Sequence, residues 1–139
     1  MSADFIDSNV FVYLFAHSEP EKQAAARRLI NDGLHTGATI SYQVVQETLN
    51  VITRKLPTPV TTEDAHDFLV RVLAPLWRVM PTEALYHRAL DVQARYGYGF
   101  YDSLIIASAL IGGCKRLYSE DLQQGQEIDG LTVHNPFLA

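Results

Sequence analysis

Four acidic residues stand at positions from which they could form one chemical site: Asp7, Glu47, Asp102 and Asp121. Carboxylates that share a site repel and raise one another's pKa, so such a cluster is reasonable at neutral pH only with bound cations. A site of oxygen ligands alone suits Mg²⁺ or Mn²⁺. Zinc is less suited, because the histidines show no ligand spacing (His17, His35, His66, His87 and His134). The acids therefore predict a site for a hard divalent cation.

Asp7 ends the first predicted strand, and Asp121 follows the fourth. The carboxyl ends of parallel strands are where open α/β sheets place their chemistry. The alternative for each acid is a helix cap or a turn residue. Glu120 competes with Asp121 for any inward position, and we favour Asp121 because Ser119 can end the strand and Asp121 can open the next turn.

Asp102 shares one face of a predicted helix with the apolar residues that follow it, Ile105, Ile106 and Ala109. We therefore expect Asp102 at the N-terminal end of a buried stripe. A carboxylate in that position is costly unless it is paired or binds a metal. Its expected partner is either a buried arginine or a divalent cation.

Glu47 lies about six residues past the second predicted strand, roughly 9 Å along a helix axis. It shares a stripe with Val44 and Val51, so it borders a buried face. That position is within reach of a site above the strand ends. The alternative is a partly exposed glutamate without a chemical role.

The elements that would position these acids alternate between strand and helix. The sequence predicts short strands at 4–7, 38–41, 76–80, 116–119 and 131–134, separated by helices at 10–16, 19–34, 43–55, 62–73, 82–96 and 101–111. Such alternation indicates right-handed βαβ units and a mostly parallel sheet covered on both faces. There are no repeats and no long linker, and the breaker-rich stretch 56–59 is a loop. Residues 1–139 are thus expected to form one α/β domain.

The composition excludes some classes of protein. Hydrophobic residues make up 47% and charged residues 19% of the chain, which is typical of a globular domain. The net charge of −5 counts against nucleic-acid binding, unless the acids are concentrated in one site and metal ions offset them. No secretory signal or membrane span is indicated. Cys114 is the only cysteine, which fits a reducing compartment, and we expect a cytoplasmic protein in which Cys114 is buried or half-buried.

The order and spacing of five segments resemble a PIN domain, and the chain looks like a VapC-type toxin of a bacterial toxin–antitoxin pair. The matching segments are 5–10, 46–47, 98–105, 118–123 and 135–137. The resemblance spans nearly the whole chain and implies a three-layer α/β/α fold with strand order 3-2-1-4-5. It also implies a metal site at Asp7, Glu47, Asp102 and Asp121, with Ser8, Asn9 and Ser119 as polar residues that support these acids.

The same resemblance implies an activity and partners. The expected activity is metal-dependent hydrolysis of RNA phosphodiesters with Mg²⁺ or Mn²⁺, in which Asp7, Asp102 and Asp121 hold the metal. Glu47 would ligate a metal or orient the attacking water. Basic pairs and the aromatic run at positions 96, 98, 100 and 101 could hold RNA. A cognate antitoxin would cover the acids, and helices 43–55 and 62–73 would form a homodimer.

Three alternatives remain open from the sequence. A receiver-type phosphoacceptor domain would carry its acceptor aspartate at the end of the third strand, where this chain has Val79, Met80 and Pro81. A non-catalytic binding or scaffold protein would use its acids only as caps. A PIN-type nuclease could act on DNA, or in RNA processing without an antitoxin.

Overall fold

The computed structural model describes residues 2–138. Its strands are β1 (Asp4–Ile6), β2 (Ile40–Ser41), β3 (Trp77–Val79), β4 (Arg116–Tyr118), β5 (Glu127–Ile128) and β6 (Leu131–His134). Its α-helices are α1 (Ser8–Val12), α2 (Pro20–Thr36), α3 (Tyr42–Arg54), α4 (Thr62–Phe68), α5 (Ala74–Leu76), α6 (Glu83–Tyr96) and α7 (Phe100–Ile111). A 3₁₀ turn, Tyr13–Phe15, follows α1, and a π-helical stretch, Leu69–Leu73, joins α4 to α5.

The strands form one mostly parallel arrangement. Strand β1 pairs in parallel with β4, which pairs in parallel with β6, while β2 and β3 form a parallel pair of their own. A parallel bridge between Phe5 and Thr39 links the two groups, so the strands run β3-β2-β1-β4-β6. The predicted order 3-2-1-4-5 is compatible with this arrangement, since β6 is the predicted fifth strand.

Strand β5 was not predicted. It has two residues and pairs antiparallel with β6 at the sheet edge. The two strands are joined at Asp129 and Gly130, whose φ angles are 50° and 89°. An Asp-Gly pair with two positive φ angles is the usual sequence signal for a tight hairpin. The signal was therefore present, but a strand of two residues leaves no alternating apolar pattern to detect.

Several predicted boundaries differ from the observed ones by a few residues, and one of these differences changes the type of an element. Leu76 is the last residue of α5, so the third strand begins at Trp77 and the helical segment that begins at Thr62 continues past Leu73. Pro75 lies near the end of this continuous helical segment, one residue before its last residue, Leu76. The loop predicted at 56–59 is present between α3 and α4.

The core sits on both faces of the sheet. Phe5 and Ile6 are consecutive residues of β1 and both are fully buried. Because neighbouring residues of a strand point to opposite faces, both faces of β1 must be covered. Helix α7 contributes an almost continuous buried run from Ser103 to Ala109. Cys114 is buried as expected. Among residues 2–138, no helix is both long and apolar enough to cross a membrane.

Hydrogen bonding continues past the ends of the central strands. The amide of Asp7 donates to the carbonyl of Tyr118 at 2.9 Å, and the amide of Ser119 donates to the carbonyl of His134 at 3.0 Å. These bonds hold the first residue after β1 beside the first residue after β4. The sheet thus places Asp7 and Ser119 together at its carboxyl edge.

Candidate active site

Asp7 is the buried centre of the site. Its residue surface is only 6% exposed, and its carboxylate accepts a hydrogen bond from the amide of Ser8 at 2.7 Å and from Ser119 Oγ at 2.8 Å. Asp7 is also the N-cap of α1, so the cap interpretation is correct as well. A cap alone would not require burial or the second bond from a distant strand. The hydroxyl of Ser8 lies 3.4 Å from the same carboxylate.

Asn9 connects the two strand ends. Its Nδ2 lies 3.1 Å from Asp121 Oδ2, 3.3 Å from Ser119 Oγ and 3.5 Å from Asp7 Oδ2. Ser119 Oγ also accepts a hydrogen bond from the amide of Asp121 at 3.2 Å. A single amide therefore contacts both acids that follow strands. The structure brings together Asp7 and Asp121 with all three residues predicted to support the acids.

Glu120 does not compete for the site. Its carboxylate accepts hydrogen bonds from Lys22 Nζ at 2.7 Å and from the Tyr13 hydroxyl at 2.6 Å. Burial opposes ionisation of Glu120, but the bonds from Lys22 and Tyr13 outweigh it and lower the pKa. The side chain of Asp121 is the one that faces Asn9, in agreement with the preference for Asp121.

Asp102 is exposed, so the prediction that it lies on a buried face was wrong. Helix α7 begins only two residues earlier, and its buried run starts at the next residue, Ser103. The carboxylate therefore belongs to the open end of the helix and not to its packed stripe. An arginine partner was one expectation, but among residues 2–138 none of the four acids forms an ion pair.

The pKa values of Asp7, Glu47 and Asp102 are raised, in part by the charges of neighbouring acids. Burial raises the pKa of Asp7 to about 6, its hydrogen bonds from Ser119 and Ser8 lower it, and the charges of Asp121 and Asp102 raise it. Loss of surrounding water raises the pKa of Asp102, and the charge of Asp121 adds to this. Because the interaction of two charges weakens with distance, Asp121 and Asp102 lie near enough to Asp7 to affect its ionisation.

Glu47 belongs to the same neighbourhood. Its side chain is exposed, as the partly exposed alternative predicted, yet its pKa is raised to about 7. The causes are first the loss of water around the carboxyl and then the charges of Asp7, Asp121 and Asp102, opposed by a hydrogen bond from Gln43. The largest departures from ordinary carboxyl values in the chain thus occur at predicted site residues.

The donor set fits a hard divalent cation, although the side chains are not closed around one. In the part of the chain from 2 to 138, no three acidic, histidine or cysteine side chains converge as ligands of a single ion. All four candidates are carboxylates that form no ion pair within residues 2–138, and the charges of neighbouring acids help to raise the pKa values of Asp7, Glu47 and Asp102. Oxygen donors with uncompensated negative charge are the ligands that Mg²⁺ and Mn²⁺ prefer.

The sequence did not predict a role for Gln43 at the site. It is 5% exposed, and its Nε2 donates to the carbonyl of Tyr101 at 3.2 Å. This bond joins α3, which carries Glu47, to the first turn of α7, which carries Asp102. Its partner lies 58 positions away, so no local pattern in the sequence indicates this contact.

Most of the aromatic run belongs to the core. Tyr96 and Tyr98 pack against the main hydrophobic cluster and Phe100 against a smaller one. Tyr101 differs, because it is 71% exposed and stands next to Asp102. Of the four aromatic residues predicted as an RNA surface, Tyr101 is the one that is open to a ligand.

A comparison with protein families identifies the chain. The family model described as PIN domain matches residues 5–126. The chain belongs to the PIN domain family. Membership of this family indicates a nuclease. No curated protein sequence matches the chain significantly.

Solved structures of three proteins share its fold. A toxin–antitoxin complex from Klebsiella pneumoniae is 15% identical, with a TM-score of 0.68 over 96% of this chain and 97% of that chain. Mycobacterium tuberculosis VapC20, described as a sarcin–ricin loop cleaving toxin, is 22% identical, with a TM-score of 0.63 over 85% and 89%. FitAcB from Neisseria gonorrhoeae is 18% identical, with a TM-score of 0.61 over 96% and 98%.

Proposed function

We propose that this PIN domain is an endoribonuclease that hydrolyses RNA phosphodiesters with Mg²⁺ or Mn²⁺. The observation that carries the proposal is the contact of one amide, Asn9, with both Asp7 and Asp121 beside the buried hydroxyl of Ser119. The raised pKa values of Asp7, Glu47 and Asp102 agree with it. Uncompensated acids at one site destabilise the folded chain, so their presence together is reasonable only if a cation binds there.

Asp7, Asp102 and Asp121 would hold the metal, and Glu47 would add a ligand or orient water. The bound ion would supply electrostatic stabilisation of the phosphate and a lowered pKa for its water. The protein's own contribution is orientation. Ser119 and Asn9 hold the carboxylates of Asp7 and Asp121 in place, so these acids lose little freedom when a substrate complex forms.

RNA binding must rely on local features, because the chain carries a net charge of −5. Tyr101 offers an exposed ring beside Asp102 on which a base could stack. Exposed basic residues are available for phosphates at Arg27, Arg28, Arg54 and Lys55. Lys115 is also exposed, but it precedes β4 and so lies at the amino edge of the sheet, opposite the acids. Arg116, which follows Lys115 in the chain, is less available because it forms an ion pair with Asp4.

We further propose that the protein is the cytoplasmic toxin of a type II toxin–antitoxin pair. The likeness to a toxin–antitoxin complex supports this partner. Phe15 lines two neighbouring apolar depressions of the surface. Leu56 and Val60 also line the first, and Leu34 and Phe68 also line the second. An amphipathic segment of an antitoxin would fit such a surface. Helices α3 and α4 are the proposed contact surface of a homodimer.

Single-residue variants test the nuclease proposal. Asp7→Asn and Asp121→Asn should reduce RNA cleavage in Mn²⁺ to the level that the wild-type protein shows in EDTA. Asp91→Asn is the matched control, because Asp91 is an exposed acid on α6, a helix that carries none of the four acids. Full RNA cleavage by Asp7→Asn would overturn the assignment of Asp7 to the active site. Cleavage of single-stranded DNA but not of RNA would overturn RNA as the substrate and would make the protein a DNA nuclease.

A further inference from the structure

Lys22, Tyr13 and Glu120 form a closed set of contacts outside the four acids. Lys22 Nζ lies 2.7 Å from Glu120 Oε2 and 3.1 Å from the Tyr13 hydroxyl, which donates to Glu120 Oε1 at 2.6 Å. These residues come from the start of α2, the 3₁₀ turn after α1 and the segment after β4. Each of the three therefore contacts both of the others.

The side chains of this set are less exposed to solvent than those of a surface ion pair elsewhere in the chain. The side chains of Lys22 and Glu120 are 34% and 26% exposed, whereas those of Arg71 and Asp67 are 76% and 59% exposed. Lys22 Nζ also lies 4.9 Å from the centre of the Tyr13 ring and 5.8 Å from that of Phe137. A partly buried ammonium with a carboxylate, a hydroxyl and two aromatic neighbours has little freedom to move.

Glu120 lies between two residues of the site, Ser119 and Asp121. Its amide donates to Asn9 Oδ1 at 3.3 Å, while its side chain points to Lys22 and Tyr13. The segment 119–121 is thus held through Asn9 on one side and through Lys22 and Tyr13 on the other. This attachment directs Glu120 away from the acids and leaves Asp121 facing Asn9.

We propose that Lys22 and Tyr13 are positioning residues that act through Glu120 to hold Asp121 at the metal site. The inference rests on the proposed function, because it assumes that Asp121 binds the metal. It assigns a role to a lysine that touches none of the four acids. Residues that orient metal ligands contribute to metal affinity through the ligands they hold.

The direction of the change in Mn²⁺ affinity distinguishes a positioning role of Lys22 from an effect of its positive charge alone. Removal of a nearby positive charge, taken alone, strengthens the binding of a cation to an acidic site. Loss of positioning weakens it, because Asp121 must then be ordered when the metal binds. Tyr13→Phe provides a second test, since it removes the hydroxyl and leaves the charge unchanged.

The experiment is Mn²⁺ titration of the full-length protein by calorimetry. Lys22→Met should lower Mn²⁺ affinity by about 10-fold, Tyr13→Phe should lower it by a smaller factor, and Lys22→Arg should restore most of the wild-type value. Arg71→Met is the control for loss of one positive charge and should leave the affinity unchanged. Circular dichroism would verify that each variant is folded at the temperature of the titration.

Two failures would be distinguishable. If the wild-type protein binds no Mn²⁺, the proposed function is overturned. If the wild-type protein binds Mn²⁺ and Lys22→Met binds it equally or more tightly, the positioning role is overturned while the metal site stands. If Lys22→Met does not fold, Tyr13→Phe decides, and an affinity equal to that of the wild type overturns the role.

Discussion

The hydroxyl of Ser119 donates a 2.8 Å hydrogen bond to the carboxylate of Asp7, a residue 112 positions earlier in the chain. Ser119 is fully buried and Asp7 is 6% exposed, so water does not compete for this bond. The bond joins the ends of β1 and β4, which are neighbours in the sheet. It also stabilises the charged form of Asp7, which burial alone would disfavour.

Ser119→Ala should weaken metal binding by about 10- to 100-fold, as is usual when a group that orients a metal ligand is lost. The pKa of Asp7 should rise further above about 6, because the hydrogen bond that lowers it is removed. Mn²⁺ calorimetry measures the first effect. Ser108→Ala is the matched control, since Ser108 is also fully buried and donates only within its own helix, to the carbonyl of Leu104 at 2.7 Å. Equal Mn²⁺ affinity in Ser119→Ala and the wild type would contradict the assignment.

The metal-free protein should lose stability as the pH rises from about 4 to about 6. Burial raises the pKa of Asp7 from 3.8 to about 6, so the folded state holds this proton more tightly than the unfolded state. The stabilising effect is complete below the unfolded value and is lost as the pH passes the folded value. The full difference corresponds to about 3 kcal/mol. Urea unfolding in EDTA at several pH values measures it.

Asp7→Asn isolates that contribution from those of other titrating groups. The variant should be more stable than the wild type at pH 7 without metal, by up to about 3 kcal/mol, because asparagine carries no charge and remains a good N-cap. The two proteins should converge in stability towards pH 4. A variant less stable than the wild type at both pH values would show that the carboxylate is not under electrostatic strain.

Asp102→Asn should lower the pKa of Asp7 and of Glu47 from about 6 and about 7, because the charge of Asp102 raises both. Carbon-13 NMR titration of the carboxyl groups, in EDTA, measures this directly and does not depend on a metal. Asp129→Asn is the control, as Asp129 is paired with Arg88 and Arg95 away from the four acids. Unchanged values in Asp102→Asn would mean that the acids do not form one site.

Tyr101→Ala should raise the KM for RNA and leave metal affinity intact. The ring is 71% exposed beside Asp102, and stacking on a base is worth about 1–3 kcal/mol. Tyr101→Phe keeps the ring and should behave as the wild type. Tyr86→Ala, which removes a 38% exposed tyrosine from α6, serves as a surface control. An unchanged KM in Tyr101→Ala would exclude this residue from RNA binding.

Much of the fold was predictable because its signals are local. Helix caps, breakers and apolar patterns predicted every helix of more than five residues and the five parallel strands, with small errors in their boundaries. The β5–β6 hairpin was missed because β5 has only two residues. The four acids were also chosen from local placement, and the structure joins two of them, Asp7 and Asp121, through Asn9. Their role as metal ligands stays a prediction.

Exposure at the site could not be predicted from periodicity. The face that Asp102 shares with Ile105 is buried further along the helix but open at its first turn, since burial depends on what packs against each turn. Periodicity assigns a residue to a face of a helix, and it does not report where the neighbouring elements end.

The amino-acid sequence by itself determined which residues carry charge and which segments become strands and helices, because these depend on neighbours a few positions away. The tertiary structure decided which acid faces the site and what holds it there. Asp121 rather than Glu120 faces Asn9, because the Glu120 carboxylate accepts hydrogen bonds from Lys22 and Tyr13. These two residues lie 98 and 107 positions from Glu120 in the chain. Contacts between residues so distant in the chain form only when the sheet has brought their segments together.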